Sequence, residues 1–288
     1  MDTIAVIIVT HNAQAVLPRC LDALEQQSTP PDYIILVDSG SSKTDYLQAQ
    51  EKSYTQQEGR KTHLKIFLKE NIGFSQSNNI GYQAIAEEVD FVLFLNPDAF
   101  LAPNSIELAL AFLVDQPAVG CVGARLLGFD QESGSPSGRL DSTGVFRAWY
   151  GRWYDRHQGE IEDNQGQTQD VQEEVPALCG AFLFCRNTML KQVALPGNHP
   201  AIIFDPDFFL YKEDIELCLR IRKAGWQIIY LPEVIAYHCR GWQKKRRQMS
   251  YSMRLTAAKS ELLLYRKHPS PYIFWALLKY LLVRFLRQ

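Results

Sequence analysis

The residues best suited to chemistry in this chain sit at the ends of short apolar runs. Asn96-Pro97-Asp98 directly follows the apolar stretch Phe91–Leu95. A carboxylate there could hold a divalent cation that bridges two phosphates and neutralises charge on a departing diphosphate. Asn-Pro-Asp is also good turn chemistry in its own right, and that reading stands beside the first. Glu213-Asp214 and Glu216 open a segment carrying Ile215, Leu217, Cys218, Leu219 and Ile221, which reads as a helix. Acids favour a first helical turn through the dipole and capping alone. The approach to them, Phe204-Asp205-Pro206-Asp207-Phe208-Phe209-Leu210-Tyr211, is strongly aromatic. Such a lead-in could pack against a sugar ring and partly desolvate the acids. Desolvation makes a carboxyl a better acceptor of a hydroxyl proton, whereas a helix N-terminus pulls its pKa the other way.

Three further stations carry weaker signals. His238 follows an apolar strand and precedes Cys239-Arg240-Gly241; it reads either as a packing residue or as an imidazole ligand suited to a metal such as Mn²⁺. Asp38, in Asp38-Ser39-Gly40-Ser41-Ser42, could accept a hydrogen bond from a nucleobase N–H, or could simply shape a turn. Asn71-Ile72-Gly73-Phe74 with Asn78-Asn79 reads as a glycine-assisted loop and polar helix face near a diphosphate, or as a cap and a solvated surface.

The elements that must position these residues follow from the apolar pattern. Ile4–Val9 is a continuous apolar run ending at Thr10-His11-Asn12, as expected of a parallel strand buried on both faces. Leu17, Cys20, Leu21 and Leu24 then fall at helical spacing. Tyr33–Val37, Leu64–Leu68 and Phe91–Leu95 are further strands, with a helix expected over Phe74–Glu88. Short apolar strands alternating with helices predict a doubly wound, mostly parallel sheet flanked by helices. In such sheets ligands bind beyond the carboxyl ends of the strands, where Thr10, Asp38, Asn71 and Asp98 all fall. Gly128–Gly144 and Asp155–Glu174 lack apolar period and read as loops. Structure is expected to resume over Ala177–Cys185, with a helix from Glu213 to Gly225 and a strand over Gln227–Leu231.

Bulk properties exclude several classes. Across 288 residues, 46% are hydrophobic and 22% charged, which supports a sizeable core. The six cysteines form no CxxC pair and read as reduced, mostly buried thiols of a cytoplasmic protein. The N-terminus lacks the pattern of a secretory leader, and no stretch of about 18 uninterrupted apolar residues spans a bilayer. From Arg240 onward there are twelve Lys/Arg and one acid, Glu261, against a net acidic remainder. Within this tail Phe274, Leu277, Leu278, Leu281 and Phe285 fall at helical spacing, with Lys279, Arg284 and Arg287 interspersed. A cationic amphipathic helix of this kind either lies in a membrane interface or docks on its own domain. Nucleic acid is a poor fit, because the basic residues adjoin a lipid-like helix and the body is acidic.

Taken in order, the segments VIIVTHN (6–12), LVDSGSS (36–42), NIGFSQSNNIGY (71–82), LFLNPDAF (93–100), CGAFLFCR (179–186), FFLYKEDIELCLRIRKAGW (208–226) and LPEVIAYHCRG (231–241) resemble the family-two inverting glycosyltransferases, and within them the rhamnosyltransferase-like branch. The resemblance covers residues 4–241. It implies a GT-A-type domain over 1–241, with a nucleotide-binding part to about 124, a catalytic and acceptor part over 125–241, and a basic helical extension over 242–288. It implies donor contacts from Thr10, Asn12, Asp38, Asn71, Gly73, Asn79 and Asn96, and a divalent metal, Mn²⁺ or Mg²⁺, on Asp98 and His238. Asp214, beside Glu213, takes the place of the catalytic base. The implied donor is a nucleotide sugar, with dTDP-rhamnose ahead of a UDP-hexose. The implied acceptor is a glycan or a polyprenyl-diphosphate-linked sugar, met by a peripheral protein at the inner face of the cytoplasmic membrane.

Three positions depart from the family pattern. Asn96 stands where many relatives carry Asp, which removes one negative ligand. Glu216 stands where Asp is common, and its longer arm could shift an acceptor hydrogen bond. Lys43 occupies a place where an acid is common. Two other classes compete with sugar transfer. A sugar-phosphate nucleotidyltransferase typically carries a glycine-rich basic loop after its first strand, where this chain has Thr10-His11-Asn12-Ala13. An inactive sugar-binding scaffold would tolerate loss of the acids, all of which are present.

Overall fold

Strand β1 (Ile4–Thr10) runs through the middle of the protein with all seven residues buried. Its side chains alternate between two cores: Ile4, Val6 and Ile8 enter one apolar cluster, Ala5 and Ile7 the other. That alternation is the period of two expected of a strand covered on both faces. A computed structural model describes residues 2–56, 61–85, 89–162, 170–196, 201–239 and 249–286.

Around β1, parallel neighbours β2 (Tyr33–Ser39) and β4 (Phe91–Leu95) pair on either side, and β3 (His63–Lys69) extends the sheet beyond β2. Helix α1 (Leu17–Glu25) covers one face through Leu17, Cys20, Leu21 and Leu24, and α4 (Ser105–Asp115) joins it through Ile106, Ala109 and Leu113. Helix α3 (Phe74–Gln83) lies on the other face; of the segment expected to continue it, residues 86–88 fall outside the described residues. The sequence pattern did not single out α2 (Asp45–Gln56), a polar helix that buries Leu47 and Tyr54.

Beyond β4 the sheet becomes mixed. Its full order is β10-β12-β6-β11-β4-β1-β2-β3, with β5 (Ala99–Leu101) paired to β12 and β7 (Ser135–Ser142) to β6, ten strands in all among the described residues. Here β6 is Val119–Asp130, β10 Glu173–Glu174, β11 Phe182–Arg186, followed by helix α5 (Asn187–Val193), and β12 Gln227–His238. The expected division near residue 124 falls inside β6, so both parts share one sheet. Strand β11 is antiparallel to its neighbours β4 and β6, whereas β6 and β12 run parallel.

Of the two expected loops, the first is corrected, and the second is irregular over the described residues between its strand ends. The stretch 128–144 is a β-hairpin: β6 continues to Asp130 and β7 returns from Ser135. Its residues 135–139 are exposed and polar, which is why the segment carries no strand-like apolar period. The stretch 155–174 begins at the end of β9 (Trp153–Asp155), which forms a two-stranded ribbon with β8 (Val145–Arg147), and ends at β10; residues 163–169 lie outside the described residues. Strand β12 also outruns its expected end. It passes Pro232 through a register shift between Leu231 and Ile235 and continues to His238. A proline in a strand interior fits such a bulge, where a ladder bond is already lost.

The C-terminal extension docks on the domain through α7 (Tyr251–Lys267), which buries Ala258, Leu264 and Tyr265. Ser260 Oγ donates to the Leu210 carbonyl at 2.8 Å, and Tyr265 donates to that of Gly151. Helix α8 (Ile273–Leu286) buries Ala276 and Val283. Its Phe274, Leu277, Leu278, Leu281 and Phe285 remain exposed, Phe274 and Phe285 by more than 70%. The basic run at 244–247 and Arg287 lie outside the described residues. Among the described residues no helix is long and apolar enough to cross a membrane.

Candidate active site

The carboxyl ends of β1 and β4, the start of α6 (Glu213–Lys223) and the end of β12 converge on one cleft of about 380 Å³. It is lined by Asn96, Asp98, Glu213, Asp214 and His238 together, residues far apart in sequence. The β8–β9 ribbon closes one side with Val145, Trp153, Tyr154 and Asp155.

At one end of the cleft, β5 pairs antiparallel with β12 so that His238 lies opposite Ala99, and Cys239 N donates to the Asp98 carbonyl at 2.9 Å. The extension of β12 past Pro232 therefore delivers His238 to Asp98. His238 Nε2 is 3.3 Å from Asp98 Oδ1, and Asn96 Nδ2 lies 3.4 Å from the same ring nitrogen. On the other side of the ring, Nδ1 sits 2.8 Å from Asp141 Oδ2, with Asp141 fully buried on β7. Burial opposes protonation of the imidazole, yet the charge of Asp98 and the hydrogen bonds that the ring donates to Asp141 and Asp98 outweigh it and raise its pKa to about 9. Asp98 is desolvated too, but the charge and hydrogen bond of His238 hold its carboxyl below the usual range.

This donor set fits a divalent cation. A separation of 3.3 Å between Asp98 Oδ1 and His238 Nε2 is what two neighbouring ligands with bonds of about 2.1 Å take around one ion. Asp141 on Nδ1 orients the ring and directs Nε2 toward Asp98, the arrangement by which a carboxylate behind a histidine sharpens metal binding. Among the described residues no cluster of three or more His, Cys, Asp or Glu side chains forms a complete cage.

Across the cleft, Tyr211 and Lys212 adopt φ values of 70° and 72°, a region non-glycine residues rarely occupy. Such strain costs about 1–3 kcal/mol per residue and clusters at functional sites. It turns the chain sharply into α6 and places both side chains in the cleft ahead of the acids. Asp214 accepts from Gly180 N at 3.0 Å on Oδ2 and from Ile215 N at 2.8 Å on Oδ1. Burial raises its pKa, only partly countered by Lys212 and these backbone donors. Glu213 is buried, its Oε2 has no hydrogen-bond partner among the described residues, and burial together with the Asp214 charge pushes it up to about 8. Desolvation thus prevails over the helix N-terminus for both acids.

Glu216 takes no part in the cleft. Its carboxylate accepts from Arg220 Nε at 2.9 Å and meets His268 Nε2 at 3.2 Å, tying α6 to the end of α7. The shifted acceptor hydrogen bond expected from its longer arm is therefore corrected: the arm is used inside the protein.

The donor-side residues form a second group. Asp38 Oδ1 accepts from Thr10 Oγ1 at 3.0 Å and from Ser41 Oγ at 2.5 Å, and Oδ2 accepts from Ser41 N at 2.9 Å. Asn12 Oδ1 accepts from Ser42 N and Oγ, both at 2.9 Å, while its own N donates to Ser41 Oγ at 2.7 Å. Asn71 packs beneath Gly40, where a Cβ would come within 2.7 Å of Asn71 N. The loops after β1, β2 and β3 are thereby locked into one rim, and His11, held through Nδ1 at 2.8 Å from the Ser39 carbonyl, carries it to the cleft wall. Gly73, at φ 83°, lets the backbone approach Phe209, whose carbonyl accepts from Phe74 N at 2.8 Å. Asn79 is corrected. It is buried away from the cleft, with Oδ1 accepting from Ile203 N and Phe204 N at 2.9 Å and Nδ2 donating to the Phe204 carbonyl at 2.7 Å. Those bonds fix α3 to the aromatic approach segment. Sequence reasoning also missed Asp141, Lys212 and the ribbon residues Trp153–Asp155; Lys212 directly follows the aromatic run Phe208–Tyr211, and the others stand at the end of no apolar run.

A family model described as "Glycosyltransferase like family 2" matches residues 2–259. The chain belongs to this glycosyltransferase family. Its relatives include the N-acetylglucosaminyl-diphospho-decaprenol L-rhamnosyltransferase of Mycobacterium tuberculosis (strain H37Rv), 26% identical over 96% of this chain and 84% of the relative. The O-antigen chain rhamnosyltransferase RfbN of Salmonella typhimurium is 22% identical over 86% of this chain and 70% of its own length. Among solved structures, GalNAc-T7 with UDP, GalNAc and Mn²⁺ superposes with a TM-score of 0.69 at 18% identity, covering 94% of this chain and 49% of that one. The mannosyltransferase PcManGT from Pyrobaculum calidifontis, in complex with GDP-Man and Mn²⁺, gives 0.60 at 16% identity, covering 98% of this chain and 70% of that one. The glycosyltransferase thus shares its mixed α/β fold with GT-A enzymes, and the two relatives described above are named as sugar transferases.

Proposed function

We propose that this glycosyltransferase moves a sugar from a nucleoside diphosphate to a lipid-linked or polysaccharide acceptor with inversion. The observation that carries the reading is the single cleft with Asp98 and His238 at one end and the desolvated Asp214 at the other. Two relatives named as rhamnosyltransferases favour dTDP-rhamnose as donor, with a UDP-hexose next.

The interlocked rim of Thr10, Asn12, Asp38, Asn71 and Gly73 would receive the nucleoside, and Asn96 would face the diphosphate. A divalent cation, Mn²⁺ or Mg²⁺, on Asp98 and His238 would neutralise charge on the diphosphate. Asp214, its pKa raised by burial, accepts the proton of the acceptor hydroxyl. As that proton passes to the Asp214 carboxylate, the hydroxyl oxygen forms a bond to the anomeric carbon from one face. The bond from that carbon to the diphosphate oxygen breaks on the opposite face, and the diphosphate leaves with the electron pair. Glu213, held above the usual carboxylate range, leaves the ionised Asp214 without a second full negative charge beside it. The exposed apolar face of α8 would rest against the membrane that presents a lipid-linked acceptor.

The test is the thermal stability of the purified protein with nucleoside diphosphates and nucleotide sugars, with and without Mn²⁺ or Mg²⁺. A ligand of the folded state raises stability by mass action. Metal-enhanced stabilisation by dTDP or UDP compounds is expected; indifference to all of them at concentrations far above ordinary affinities would overturn the reading.

A further inference from the structure

A second pocket, of about 250 Å³, opens beside the cleft and shares Trp153, Tyr211 and Lys212 with it. The rest of its lining is Arg152, Met249, Arg254, Ala257 and Lys279. Four of these eight residues are cations, and no acid lines the pocket among the described residues. Lys279 pairs with Glu261, which is buried in the packing of α7 against α8, so one carboxylate offsets part of the charge from below. The cations come from four separate places: Arg152 from the turn between β8 and β9, Lys212 from the strained entry to α6, Arg254 from α7 and Lys279 from α8. Cations gathered from distant parts of a chain repel one another, an arrangement that a multivalent anion relieves. Guanidinium and ammonium groups arrayed in this way suit phosphate oxygens.

We infer that this pocket binds the diphosphate of a lipid-linked acceptor, an inference that rests on the glycosyltransferase reading above. Two relationships select this ligand. Lys212 is common to both cavities and precedes the acids Glu213 and Asp214, so an anion here lies next to the place where an acceptor hydroxyl meets its base. The metal-ligand pair Asp98–His238 lines the cleft and not this pocket, which separates it from the donor's diphosphate. Lys279, moreover, belongs to the helix whose Leu277, Leu278 and Leu281 are exposed. One helix therefore borders the pocket through Lys279, already paired with Glu261, and presents an apolar face to the hydrocarbon of a lipid.

The experiment is co-sedimentation of the full chain with phosphatidylcholine vesicles, plain or doped with geranylgeranyl diphosphate, with inorganic pyrophosphate as soluble competitor. Wild type is compared with Arg152→Gln and Arg254→Gln; Arg152 is exposed, so at least that variant tests the pocket without disturbing a buried group. Doped vesicles are expected to bind wild type more tightly than plain ones, and each substitution to reduce that gain by about tenfold, as loss of one charge-assisted contact implies. No gain from the diphosphate, or a gain that survives both substitutions, would overturn the inference. Equal affinity for pyrophosphate and for the lipid diphosphate would overturn its lipid source. Stabilisation by dTDP or UDP with metal, measured on the same preparations, keeps the two readings apart: it tests the donor site whatever the vesicles do.

Discussion

His238 Nδ1 lies 2.8 Å from Asp141 Oδ2, and this contact joins a strand end at the cleft to a fully buried carboxylate in the neighbouring hairpin. It fixes the ring so that Nε2 faces Asp98. Removing a partner behind a metal-binding histidine typically weakens metal affinity or activity by about 10–100-fold. Asp141→Asn is therefore expected to raise the Mn²⁺ concentration needed for full transfer by that factor, while dTDP binding without metal stays as in wild type. Activity titrated against Mn²⁺ measures it, and an unchanged midpoint would remove Asp141 from the proposed metal site.

The first four strands of the sheet were legible because each is an uninterrupted or nearly uninterrupted apolar run; of the four strand-end residues, Asp98 lines the cleft, whereas Thr10, Asp38 and Asn71 do not. The acidic pair at the start of α6 was legible for the same reason, from its aromatic approach and apolar helix. What was not legible depends on tertiary pairing. Asp141 sits in a hairpin whose neighbours at 135–139 are polar and exposed, so nothing local marks it as buried. The register shift that carries β12 past Pro232 exists only through pairing with β6 and β5. Asn79 carried the right residue type for ligand binding, but its amide is used by the backbone at 203–204. Lys212 gives no signal at all, because its left-handed conformation is imposed by the turn into α6.

The exposed face of α8 makes a separate prediction. Replacing Leu277 and Leu281 with Ser alters two side chains that are more than 40% exposed, so the fold should persist. Each leucine that leaves an apolar environment forfeits about 1.5–3 kcal/mol. The double variant is expected to lose about tenfold or more of its partitioning onto phosphatidylglycerol vesicles. Sedimentation equal to wild type would mean that this face meets something other than a bilayer.

The assignment of the base is testable by a near-isosteric change. Asp214→Asn preserves an acceptor oxygen for Gly180 N but cannot take a proton at neutral pH. Loss of a positioned general base lowers turnover by about 10²–10⁴-fold. Stabilisation by dTDP and Mn²⁺ should remain, since Asp98 and His238 are untouched. Initial rates of sugar transfer and thermal shifts on the same sample check both halves. Turnover at the wild-type level would sink the role of Asp214.

Glu213 makes stability depend on pH in a defined direction. Its carboxyl is pushed from 4.5 to about 8 by burial and by the Asp214 charge. Between those values the folded protein holds a proton that the unfolded chain has released. Stability therefore falls as pH rises from about 4.5 through about 8 and levels off above it. Asp214, raised by burial as well, adds a contribution of the same sign. Glu213→Gln keeps the shape of the side chain and cannot ionise, so it removes the Glu213 contribution together with its interaction with the Asp214 charge. The melting temperature of the variant, measured relative to wild type, should climb as the pH increases across that window, with the largest gain on the alkaline side. A difference that stays constant from acid to alkaline pH would show that Glu213 titrates alike in both states, and would leave Asp214 facing an ionised neighbour.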